Sequence, residues 1–116
     1  MSLEPAAELT SNPTFGPQLY VGRGGFRIGK GYLAAWNFPF PSATIHIHRD
    51  GIIVRYPFKN ELQLPRANIS AVEIKRRLIF KVISLRHNRP DLPPYILFLS
   101  FDLARLDAAL LAAGYL

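Results

Sequence analysis

The sequence predicts a mainly β domain, about seven antiparallel strands followed by one C-terminal α-helix, and three observations carry that reading. Apolar and polar residues alternate from Ala43 to His48, pause at Asp50-Gly51 and give way to a β-branched run from Ile52, the pattern of a tight hairpin. Downstream, further runs with strand periodicity recur between proline-marked breaks. Only the last stretch, from Asp102 to Gly114, has the composition and spacing of a helix.

Taken in order, residues 1 to 18 are rich in Pro, Ser, Asn and Ala without any period. They are expected to be a flexible N-terminal segment, with the domain spanning 19 to 116. Glycines at 22, 24, 25, 29 and 31 interleave with Arg23, Phe26, Arg27, Ile28 and Lys30, which suits a kinked or bulged strand. Tyr32 to Trp36 reads equally as a continuation of that strand or as a single turn. Asn37 to Ser42 contains two prolines and is expected to be an extended connector.

In the hairpin, Ile45, Ile47, Ile52, Val54 and Tyr56 are expected to share the buried face, with Thr44, His46, His48 and Arg55 outward. A short strand around Glu61 to Leu64 closes at Pro65. Ile69 to Arg77 and Phe80 to His87 read as a strand pair, with Val72, Ile74, Ile83 and Leu85 inward. Asn88 to Pro94 is a turn by composition. Tyr95 to Phe101 is apolar on both faces, as a central strand or one covered by the helix would be. Asp102 is placed to cap the helix, Leu103, Leu106, Leu110 and Ala113 fall on one face, and Gly114 ends it.

Composition narrows the function classes. A chain of 116 residues that is 49% hydrophobic can fill one core, and with no cysteine it has neither disulfides nor thiolate metal sites. No secretion signal or membrane-spanning run is read, so a soluble, cytoplasmic protein is expected. The formal charge of +6 favours anionic partners only if it is concentrated. It is dispersed, apart from a loose group of Arg23, Arg27 and Lys30 and the run Lys75-Arg76-Arg77, so nucleic acid is not an expected partner.

Several stretches, in their order along the chain, carry a resemblance. They are Gly25-Phe26-Arg27-Ile28-Gly29-Lys30-Gly31, Asn37 with Pro41 to Ile45, and His48-Arg49-Asp50-Gly51-Ile52. After these come Leu64 to Glu73, Leu85 to Asn88, Ile96-Leu97-Phe98 and the helix from Leu106 to Tyr115. With the only helix at the C-terminus, residues 19 to 116 resemble small bacterial proteins of the pleckstrin homology superfold. That resemblance implies two nearly orthogonal sheets forming a partly open barrel, plugged at one end by the helix. Members of that group mostly have no assigned biochemical role. The phosphoinositide site of lipid-binding members of the superfold does not carry over, because Lys30 is followed by no Lys or Arg until Arg49.

No constellation assembles a nameable chemistry. Gly24 to Gly31 falls short of a phosphate-binding P-loop, having Gly31 where Ser or Thr would bind magnesium, and Pro39 denies it the following helix. His46, His48 and Asp50 alternate as metal ligands would, but the plainer reading is two strand histidines and a turn residue. Glu73 reads as an ion-pair partner of Arg76 or Arg77 rather than a catalytic acid. No catalytic, cofactor or metal residue is assigned.

Two surfaces remain. Trp36, Phe38, Phe40, Tyr56 and Phe58 are candidate contacts for a protein partner or a second copy of the chain, since rigid aromatics cost little entropy to immobilise. Arg23, Arg27, Lys30, Lys75, Arg76 and Arg77 are candidate anion contacts, with Leu78, Ile79 and Phe80 beside the last three as in a membrane-skimming loop. The sequence thus points to a non-catalytic interaction module. Peripheral binding to anionic membranes is the alternative, and a small enzyme or ligand carrier using the barrel's open end is a further one.

Overall fold

The computed structural model describes residues 11, 12, 15–31, 33–102 and 104–116, so the expectations placed on residues 1–10, Tyr32 and Leu103 fall outside it. The elements are β1 (Ser11–Asn12), β2 (Gly16–Gly31), β3 (Ala34–His48), β4 (Gly51–Tyr56), β5 (Asn60–Pro65), β6 (Ile69–Arg76), β7 (Lys81–His87), β8 (Tyr95–Ser100) and helix α1 (Arg105–Ala112). Seven antiparallel strands form one open sheet in the order β5-β4-β3-β2-β8-β7-β6, and the two-residue β1 pairs with the start of β2. The mainly β architecture with a single C-terminal helix agrees with the sequence.

Sixteen residues long, β2 joins the two halves of the sheet. Its first part pairs with β3, with β1 alongside only at Gly16 and Pro17, and from Gly25 onward it runs between β3 on one side and β8 on the other. The register shifts between Gly24 and Phe26 and again between Gly29 and Gly31, so the glycine-rich stretch is the bulged strand its composition suggested. Gly24 marks a close approach: a Cβ there would stand 2.1 Å from the Leu99 carbonyl oxygen and 2.5 Å from the Phe98 ring. Of the stretch read as strand or turn, Leu33 is a turn and Ala34 starts β3.

Inward side chains from both halves meet in one core. Ile45, Ile47, Ile52, Val54 and Leu64 come from one half, Ile83, Leu85, Ile96 and Phe98 from the other, and Leu106 and Leu110 from the helix. Each aliphatic side chain buried this way contributes about 1.5–3 kcal/mol, so the sheet is held in its curl by the residues the alternation selects. Tyr56, expected in the core, is half-buried against its edge.

Polar contacts fix the helix at both ends. Asp102 accepts hydrogen bonds from the backbone amides of Ala104 and Arg105 and another from the Tyr20 hydroxyl at 2.9 Å, which ties the helix start to β2. Lys81, fully buried at the start of β7, pairs with Asp107 at 2.5 Å, and Arg76 reaches the same carboxylate. At the other end Arg66 donates to the carbonyls of Arg49 and Ala113, and the Tyr115 hydroxyl donates to the His48 carbonyl. Gly114 ends the helix at a positive φ of 84°, where a side chain is strained.

The structure corrects the sequence reading at the N-terminal boundary and on one hairpin face. Order begins before Leu19: Phe15 is buried and β2 starts at Gly16. This early segment docks on the hairpin, with the amides of Arg49 and Asp50 donating to the Pro17 and Phe15 carbonyls. His46 and His48, expected outward, are therefore buried at 5% and 1% exposure. His46 Nδ1 lies 2.9 Å from Gln18 Oε1 and His48 Nδ1 lies 3.0 Å from the Gly16 carbonyl. The alternation does put both side chains on the outer face, but that face is covered here because the chain folds over itself.

Candidate functional site

The outer face of β8 shapes the site. Ile96, Phe98 and Ser100 point into the core, so the strand's alternation leaves Tyr95, Leu97 and Leu99 on the opposite face. The helix packs on the inner side with Ile96 and Phe98, and it does not cover this outer stripe. Val82 of β7, paired with Leu99, continues the apolar surface sideways.

A large bulge in β3 builds the wall. Gly24 pairs with Ala43 and Phe26 with Phe38, so the four residues Pro39 to Ser42 stand opposite Gly25 alone. The expected extended connector is thus a bulge within a strand, and its Phe40–Pro41 peptide is cis. The bulge swings Phe40 over the stripe, where its ring meets Phe101 edge-on at 5.0 Å, and Phe101 meets Phe80 at 6.0 Å. Tyr95, Leu97, Leu99, Val82, Phe40 and Phe101 line an open groove of about 560 Å³, with Arg27 and Asn37 as its polar members and no carboxylate in its lining.

The aromatic residues singled out from the sequence divide between two places. Phe40 belongs to the groove, and Phe38 lines both it and the second place. Trp36, Phe38, Tyr56 and Phe58 surround a second hollow of about 420 Å³ at the end of the sheet. There Phe38 and Tyr56 pack on each other and on Phe26, whereas Trp36 and Phe58 are 75% and 89% exposed. Burial pushes the Tyr56 hydroxyl's pKa up, so it stays protonated throughout the physiological range.

The basic residues do not form one patch. Arg23 lines a third hollow beside Thr44, Arg27 lines the groove, and Lys30 stands exposed near the end of β2. Four strand steps separate Arg23 from Arg27, roughly 13 Å. Arg76 is engaged by Asp107, leaving Lys75 and Arg77 beside the β6–β7 tip, where Leu78 is 95% and Ile79 63% exposed.

The remaining titratable candidates have local duties. His87 donates from Nε2 to the Pro93 carbonyl and accepts the Arg89 amide at Nδ1, so it holds its own loop together. Glu73 pairs with Arg86 at 3.2 Å, not with Arg76 or Arg77, because antiparallel pairing of β6 with β7 brings Arg86 alongside. Neither lines any of the three hollows. Among the described residues no group of three His, Cys, Asp or Glu is placed to hold a metal ion.

The groove residues of β8 escaped the sequence reading although their signal was present. A strand apolar on both faces needs cover on both, and the helix was the only cover the sequence offered. Among the described residues no helix is long and apolar enough to cross a membrane. Compared with protein-family models, with the curated proteins and with the solved structures, this chain matches none of them.

Proposed function

We propose that the chain is a non-catalytic interaction module of pleckstrin-homology-like build, whose groove over β2, β8 and β7 receives an apolar segment of a protein partner or of a second copy. One observation carries the reading: an apolar stripe on β8, walled by Phe40, is only half-buried and borders an open groove instead of lying under the helix. An uncovered surface of this kind, rimmed by polar groups, is how soluble proteins present a docking site. Arg27, in a lining without carboxylates, favours a segment that carries an acidic residue.

The test is selection from a random peptide library on the immobilised chain, repeated with Phe40→Asp at a half-exposed ring, with thermal melting to confirm that the variant is folded. Apolar sequences with an acidic residue are expected from the wild type and not from the variant. Identical recovery by both, or no enrichment, contradicts the proposal. Sedimentation of the same two proteins reads the self-association version.

A second reading rests on a different place. Leu78 and Ile79 project at the β6–β7 tip with Lys75 and Arg77 beside them, the arrangement of a loop that inserts into an anionic membrane surface. Sedimentation with liposomes distinguishes it. Binding that requires anionic lipid and is lost in Leu78→Ser supports this reading, and the absence of salt-sensitive binding removes it.

A further inference from the structure

On the outer face of the hairpin half, Arg23 of β2 pairs with Thr44 of β3, and Thr44 pairs with Arg55 of β4. Three neighbouring strands thus place two arginines in one row with a threonine between them, their Cα atoms roughly 10 Å apart at the usual strand spacing. Together with Gln18 and His46 they line a hollow of about 460 Å³ that has no carboxylate in its lining.

The row is charged and incompletely neutralised. Arg23 makes no hydrogen bond or ion pair among the described residues. Arg55 Nε stands 3.6 Å from Glu61 on the side away from Arg23, and Glu61 is itself taken by a hydrogen bond from Gln63. Two guanidinium groups flanking a hydroxyl repel each other when the space between them is empty. A tetrahedral dianion between them relieves that repulsion and offers oxygens to both guanidinium forks and to the threonine hydroxyl at once. A singly charged planar carboxylate satisfies fewer of these donors.

We infer that Arg23, Thr44 and Arg55 form a binding site for a phosphate monoester, on a face separate from the apolar groove. The group is either a free phosphometabolite or the headgroup of a phosphorylated lipid, since both present the same terminal phosphate. His46 is the built-in reporter. Its imidazole is held neutral, with a pKa of about 4, by burial first and then by Arg55 and His48, while Glu61 acts the other way. A phosphate seated beside Arg55 opposes the arginine's effect and raises that pKa.

The experiment follows the His46 ring resonance by NMR through a pH titration of the full chain. Its arms are sodium chloride of matched ionic strength, glycerol phosphate, vesicles of neutral lipid, and the same vesicles containing phosphatidic acid. An upward pKa shift with glycerol phosphate but not chloride is expected, with affinity weakened roughly tenfold in Arg23→Gln and again in Arg55→Gln. A response confined to phosphatidic acid vesicles and lost in Arg23→Gln supports the site with lipid as the source. Both variants change side chains that reach solvent, and thermal melting confirms the fold; Thr44→Val, which keeps the strand's shape, is expected to weaken binding as well. No shift in any phosphate arm, an equal shift with chloride, or a shift unchanged in the Arg23→Gln, Arg55→Gln double variant overturns the proposal.

Discussion

From Thr44 to His48, β3 has a neighbouring strand on each side, and every residue but Thr44 is buried. From Ala34 to Ser42 the same strand pairs only with β2, loses even that partner across the bulge, and is exposed at most positions although it carries Trp36, Phe38 and Phe40. Hydrophobicity alone does not separate the halves. Backbone pairing does: Ile45 and Ile47 alternate cleanly and accept partners on both flanks, whereas Pro39 and Pro41 remove amide donors and exclude a second strand. The half that cannot be covered is the half that displays aromatic rings.

Single truncations test that contrast most strongly. Ile45→Ala removes a side chain with no exposure and is expected to cost about 2–5 kcal/mol. Trp36→Ala removes a larger side chain that is 75% exposed and is expected to cost less than about 1 kcal/mol. Urea unfolding measures both, and comparable losses would mean that the proline half packs more tightly than its exposure indicates.

The joint between the halves gives the next effect. Gly24→Ala puts a methyl group 2.1 Å from the Leu99 carbonyl oxygen, so backbone must move, at an expected cost of about 1–3 kcal/mol. Because Leu99 lines the groove, the same change is expected to weaken peptide capture. A thermal melt at wild-type temperature with capture intact would contradict the placement of that joint.

The smallest effect lies in the pH dependence of the covered half. His46 titrates at about 4 in the fold and near 6.5 unfolded, so between these values the unfolded chain takes a proton that the fold refuses. Stability is fully present above pH 6.5 and declines as pH falls through that window. The carboxyls of Asp91 and Asp102, held below their ordinary 3.8, withdraw their contribution only at lower pH. Replacing the imidazole in His46→Gln is expected to flatten the profile between 6.5 and 4; an unchanged slope would mean that His46 is solvated after all.

Much of the fold was legible because it depends on local signals. The alternation on either side of Asp50 specified the hairpin, although its two-residue turn is Arg49-Asp50 and Gly51 opens β4 without a positive φ; the two-residue period selected Ile45, Ile47, Ile83 and Leu85 for the core, and Asp102, which accepts the Arg105 amide, with Gly114 bounded the helix. What was not legible depends on segments meeting across the chain. The docking of Phe15 to Gln18 buries His46 and His48, and nothing near either histidine announces it. The burial of Lys81 depends on Asp107, which the helix brings against it from twenty-six residues away. The groove needs the β3 bulge and the outer face of β8 together, and these lie more than fifty residues apart in sequence.

The proposed function places the partner on the outer groove and not on the core face of the sheet. Mapping amide and methyl shifts on addition of a selected peptide tests it most directly. The account predicts changes concentrated at Val82, Leu97, Leu99, Phe40 and Phe101, with the core residues Ile47 and Leu85 unmoved. Saturable binding whose changes centre on Ile47, Leu85 or the inner helix face, with the groove silent, would contradict it.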